Sequence, residues 1–251
     1  MPNHVTNIIT FKNQKAFDLF KEMCVSAPSV EGGDEVFDFN KIIPMPKELG
    51  IECSSDLGDG IELILRDLRR SGLPGTKKTI EKVIDAMSKQ VFPRYQGLSD
   101  EALDEIAERR KARGDYDKLI DLGKKAIQNI LDYGCCSWYQ WAVENWGTKW
   151  NSYNYRDNPD ELLVFFQTAW STPVPIIYEL SEMIPNGIES VEFADEDVGH
   201  NCGYYDYKYH NCRVEYLEDG SDAAFDLAIR VQGDEDLYEK DEAGHWHLID
   251  D

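Results

Sequence analysis

Two short pairs, His200-x-Cys202 and His210-x-Cys212, place four side chains able to bind a soft metal within thirteen residues. The i, i+2 spacing sets each pair on one face of an extended strand. Structural zinc sites usually show tighter C-x-x-C knuckles, and if 210–212 form a turn the two pairs need not meet. Chance spacing therefore remains the simpler account, and no metal or other cofactor is implied. A second group is rich in amides: Asn145, Trp146, Lys149, Trp150 and Asn151, with His4 and Asn7 from the start of the chain. Amides and a lysine make directed contacts to phosphate, so these residues could line a nucleotide or phosphate pocket. Each also has a structural use. Asn145 can cap carbonyls at a helix end, Lys149 can lie over a neighbouring tryptophan, and Asn7 can pair with a sheet edge.

No phosphate-loop, dinucleotide-binding, zinc-protease or nucleophile-elbow pattern occurs in the chain. Clustered acids such as Asp195, Glu196 and Asp197 are unsurprising among 48 acidic residues. The C-terminal third is both acidic and tyrosine-rich. Tyr207, Glu215, Glu218, Asp219 and Asp222 are its candidate partner-binding residues, either as an imitation of nucleic-acid charge and stacking or as an ordinary solvated sheet face. The formal net charge of −22 disfavours direct contact with nucleic-acid phosphates or an anionic membrane and favours a protein partner with a basic surface. Six cysteines without a C-x-x-C pair, and no apolar run of membrane-spanning length, point to reduced thiols in a soluble cytoplasmic protein.

The elements that must position these residues can be read from hydrophobic period. His4–Phe11 is rich in β-branched residues and reads as a strand, Gln14–Val25 as a helix, and Val36–Ile43 as extended. Residues 60–134 read as helices only. Ile80, Val83, Ile84, Met87 and Val91 form one apolar stripe, and Ser99 caps the next helix ahead of an acidic first turn. Residues 61–130 hold 15 Lys and Arg against 12 Asp and Glu, whereas 186–251 hold 4 against 19, a change of composition that marks the middle as an insertion. Trp138, Trp141, Ala142 and Asn145 share a helix face that Ser137 can cap and Gly147 can end. Alternation then predicts a strand over 148–155, a hairpin across Asp157–Asp160 to a strand over 161–170, a helix after Pro173, and a strand from Ile188 to Phe193. A second hairpin over 204–217 and a helix over 223–231 follow. The last twenty or so residues, acidic throughout, read as partly loose.

Three motifs, M-P-N-H-V-T-N at 1–7, N-W-G-T-K-W-N at 145–151 and F-Q-T-A-W-S-T-P at 166–173, resemble the YubB-like group, plasmid- and phage-borne proteins with a ferredoxin-like domain. The resemblance spans roughly 1–46 and 137–233, and it carries no catalytic residues across. The last hairpin departs from it, with Asn211-Cys212 where Asn-Gly would be expected. Together these readings predict an α+β protein. Its ferredoxin-like antiparallel core, with helices on one face, is built from 1–56 and 135–233, interrupted by a helical insertion at 57–134 and followed by an acidic tail at 234–251. The expected function is non-enzymatic binding for a mobile genetic element. The alternative is a nucleotide- or phosphate-binding module or enzyme using 145–151.

Overall fold

The computed structural model describes residues 3–27, 34–90, 93, 95–207, 212–242 and 244–249. The chain divides into two compact units, one made of Met1–Pro44 with Val143–Asp251 and the other of Met45–Ala142.

The first unit begins with β1 (His4–Phe11), in which Val5, Asn7, Ile9 and Phe11 are buried while His4, Thr6, Ile8 and Thr10 are half-buried on the other face. Asn13 starts α1 (Gln14–Cys24) by accepting the Ala16 amide on its side chain. Two-residue strands β2 (Val25–Ser26) and β3 (Val36–Phe37) pair with each other, and a 3-10 turn follows at Phe39–Lys41. After the second unit come β4 (Tyr153–Asn158), β5 (Leu163–Ala169), α7 (Val174–Met183), β6 (Ile188–Asp195), β7 (Gly203–Asp206) and β8 (Arg213–Tyr216). The sheet order is β4-β5-β1-β6-β7-β8, and every neighbouring pair is antiparallel. In chain order β1-α1-β4-β5-α7-β6 is βαββαβ with each parallel pair separated by an antiparallel strand, the ferredoxin-like arrangement. The meander β7-β8 widens it.

Cross-strand register sorts the side chains. Asn7 stands opposite Phe166 and Phe193, so these three share the face that packs against α1 and α7. There the rings of Phe11, Phe20, Phe37 and Phe166 run in sequence at centroid spacings of 5.1, 4.9 and 5.0 Å. The helix α8 (Asp222–Gln232) lies on the other face, where Ala224, Leu227, Ala228 and Val231 meet Ala194, Cys202 and Ile8. It covers the β1-β6-β7 side and leaves part of β4 and β5 open.

The second unit is helical: α2 (Ser55–Ser71), α3 (Thr76–Lys89), α4 (Asp100–Arg113), α5 (Tyr116–Tyr133) and the part of α6 (Trp138–Asn145) up to Ala142. Here α2 and α5 touch backbone to backbone. A Cβ on Gly123 would lie 2.4 Å from the carbonyl carbon of Gly60, so only hydrogens fit at this crossing. Leu57, Ile61, Leu65, Val83, Met87 and Ile130 form the core beside it. The Glu62 carboxylate is buried but satisfied, accepting the Gln96 and Leu98 amides at 2.7 and 2.8 Å.

Three expectations are corrected. The strand at 148–155 starts five residues later, because Gly147 takes φ +77° and the Thr148 hydroxyl donates to Ala169 O at 2.8 Å, holding 148–152 as a strap. The extended stretch after Val36 stops at Phe37, where Asp38 caps the 3-10 turn. The tail expected to be partly loose holds a hairpin of β9 (Tyr238–Lys240) and β10 (Trp246–Leu248), fixed to α8 by the Trp246 indole N–H donating to Asp226 at 2.7 Å. No helix among the described residues is long and apolar enough to cross a membrane.

Candidate functional site

Residues 145–152 have their polar groups committed to the fold. The Trp146 indole donates to Ile43 O at 2.9 Å, and its ring packs edge-on against Phe39. Asn151 accepts the Phe39 and Ser152 amides and donates to Asp38 at 2.8 Å, so one amide ties the strap to the capped turn. Burial pushes the Asp38 carboxyl up, but hydrogen bonds from Asn151, Ser26 and Asn40 outweigh it and hold the group below the ordinary carboxylate value. Lys149 lies between two indoles, 4.5 Å from the Trp150 ring centre and 4.9 Å from that of Trp170. Asn145 closes α6 and is half-buried.

The two N-terminal members do not join this group in one pocket. His4 and Asn7 are three positions apart on β1 and therefore face opposite sides of the sheet. The Tyr153 phenol donates its proton to Thr168 O at 3.0 Å, so at the 2.7 Å contact with His4 the imidazole Nδ1 is the donor. Asn7 is fully buried and donates to Val5 O and to the Thr168 hydroxyl.

The soft-metal set also comes apart, for the same reason of strand parity. Cys202 precedes β7 and packs under α8, where burial pushes its thiol up to about 11. Cys212 lines the opposite face beside Ser181 and Tyr207, and burial raises its thiol too. His200 is exposed, 3.7 Å from Asp219, and His210 lies outside the described residues. Among the described residues no three or more His, Cys, Asp or Glu side chains converge on a metal position. Thiols raised by burial are poor nucleophiles.

Of the acidic candidates, Glu218, Asp219 and Asp222 are exposed on the turn into α8 and on its first residue, while Glu215 on β8 is half-buried 3.1 Å from Arg213. Tyr207 does not belong with them. Its hydroxyl lies 3.4 Å from Ser181 Oγ on the α7 side, and burial raises its pKa. The hairpin adds what sequence reading missed: Leu237, Leu248 and Ile249 are 54, 57 and 42% exposed amid Glu235, Asp236, Glu239 and Asp241. Hairpin strands of three residues give too short an alternation to be seen in sequence.

The open part of the α8 face forms a groove of about 390 Å³ between β4, β5, β1 and the C-terminal end of α8. Thr6, Arg156, Phe165, Gln167, Arg230 and Gln232 line it. They come from four separate elements, and no motif spacing connects them.

Comparison with known proteins adds a fold and no activity. Residues 146–242 match the family described as "ferredoxin-like domain in Api92-like protein". Among solved structures, that of a protein api92 from Yersinia pseudotuberculosis is similar at 12% identity over 87% of this chain and 99% of that one, with a TM-score of 0.32. No curated protein matches.

Proposed function

We propose that this chain is a non-enzymatic binding protein of a phage or plasmid, acting in the host cytoplasm by docking a cationic protein. The carrying observation is the end of the first unit built by β8, α8 and the hairpin, where exposed carboxylates surround the exposed Leu237, Leu248 and Ile249. Acids alone give steering, whereas an apolar centre with a charged rim is the make-up of a docking surface. The three motif resemblances support the mobile-element setting. A ligand pocket at 145–151 is less favoured, because those side chains are already engaged within the fold.

The test compares the wild-type chain with a variant carrying Glu215→Gln, Glu218→Gln, Asp219→Asn and Asp222→Asn as baits in host lysate. A specific partner with a basic surface should be retained by the wild type at 0.1 M salt, lost at 1 M salt, and bound about tenfold more slowly by the variant, since the screening length falls from about 10 Å to about 3 Å. Equal retention by both baits removes the proposal. Displacement of the chain by duplex DNA would make the surface a nucleic-acid mimic; simultaneous binding of both would leave an ordinary electrostatic interface.

A further inference from the structure

The groove on the open sheet face is polar and organised in advance, and it carries two arginines in a chain that is otherwise strongly acidic. Its floor is one hydrogen-bonded line across five elements. Asn154 donates to Gln167 Oε1 at 2.6 Å, Gln167 donates to the Thr6 hydroxyl at 3.4 Å, Thr6 donates to Gln232 Oε1 at 2.9 Å, and Gln232 donates to Ala194 O at 3.0 Å. Each primary amide has two N–H groups, and these bonds use one apiece on Gln167 and Gln232. The half-buried Phe165 stands beside this line.

Charge at the groove is unevenly compensated. Asp157 is neutralised by Lys21, with the Tyr155 hydroxyl donating to it as well. Arg230 is held by a two-pronged contact with Glu192 at 2.6 and 3.0 Å, which fixes its plane at the end of α8. Arg156 has no ion pair among the described residues, although the chain has 48 acids against 26 Lys and Arg. An arginine left without a carboxylate in such a chain, at the mouth of a concave site, is available to an anion from outside.

We propose that this groove binds a nucleoside monophosphate, with the phosphate on the Arg156 guanidinium beside Arg230, the base over Phe165, and the base edge met by Gln167 and Gln232. A volume of about 390 Å³ lies near the small end of ligand sites, where a mononucleotide fits and a large cofactor does not. The chemistry needs both parts of the ligand. A guanidinium fork matches phosphate oxygens, an aromatic face matches a base, and amides offer donors and acceptors to a ring edge. A polymer is a poor fit, because a net charge of −22 repels its further phosphates and the groove supplies cations for only one. This site is separate from the acidic end and does not depend on the protein-docking proposal.

The experiment is calorimetric titration of the full chain with each of the four ribonucleoside 5′-monophosphates, with inorganic phosphate and the unphosphorylated nucleosides as separate arms. At least one monophosphate should bind saturably. Arg156→Ala should weaken it about tenfold or more, and Arg156→Lys should fall between, because it keeps the charge and loses the fork. Phe165→Leu should weaken the nucleotide while leaving any binding of inorganic phosphate unchanged. The exposed Arg156 makes its variants safe for folding, which unchanged melting temperatures would verify. No saturable binding of any monophosphate overturns the proposal. So does an affinity unchanged by Arg156→Ala, or inorganic phosphate binding as tightly as the best nucleotide.

Discussion

Asn151 shows how a residue type that suits ligand binding can be consumed by the fold. Its side chain satisfies two backbone amides and the Asp38 carboxylate at once, so Asn151→Ala should cost about 2 kcal/mol in urea unfolding of the sheet unit. The pH dependence follows from Asp38. Its carboxyl is held below the ordinary value in the folded state, so its contribution is present above the ordinary carboxylate range, near pH 4, and is lost as pH falls through the lower folded value. Removing Asn151 takes away one of the bonds that lower it. The acid limb of the stability curve, followed by tryptophan fluorescence between pH 2 and 6, should therefore move to higher pH in the variant. Of the sequence candidates, Lys149 over tryptophan was legible because adjacent indoles and a lysine can hardly avoid one another. Its second partner, Trp170, was not, since nothing local brings residues 149 and 170 together.

At the scale of elements, periodicity found α3, α4 and α7 and the cap of α4. Ser99 accepts the Ala102 amide at the start of α4, as its place before an acidic turn predicts. Periodicity failed at 148–152, where alternation was present but the polar groups had closer partners across the chain in Ala169 and Phe39. What no pattern shows is how tightly two helices cross. Because Gly60 and Gly123 meet at the α2–α5 contact, Gly123→Ala would place a methyl 2.5 Å from Gly60 O and 2.9 Å from Ile64. The helices must separate, at about 3 kcal/mol or more. Circular dichroism at 222 nm should show early melting of the helical part, while near-ultraviolet signals from the sheet aromatics persist. A single concerted transition shifted as a whole would show that the two units do not melt separately.

On the scale of the molecule, the composition break between the mixed-charge middle and the acidic C-terminal third reflects a division of the chain, with Met45–Ala142 one compact unit and the flanking segments together another. The limits of the units do not coincide with element ends, since α6 runs across Ala142 and Val143. The helical unit has its own buried clusters around Leu57, Ile61 and Met87 and around Leu63, Leu103 and Leu119. A fragment of residues 45–142 should therefore fold alone, giving a helical spectrum and a cooperative thermal transition; a spectrum without either would show that it needs the rest of the chain.

The central place of β1 has a consequence in time. Both of its partners, β5 and β6, lie about 150 residues or more further along the chain. At roughly 5–20 residues per second of synthesis, the first strand of the sheet waits on the order of ten to thirty seconds for a neighbour. During that interval Ile8, Ile9 and Phe11 have no sheet to enter, while the helical unit emerges and can complete itself. The nascent chain thus carries a sticky, unpartnered strand together with a finished helical unit, and its yield in the cell should depend on whatever shields that strand until β5 and β6 arrive.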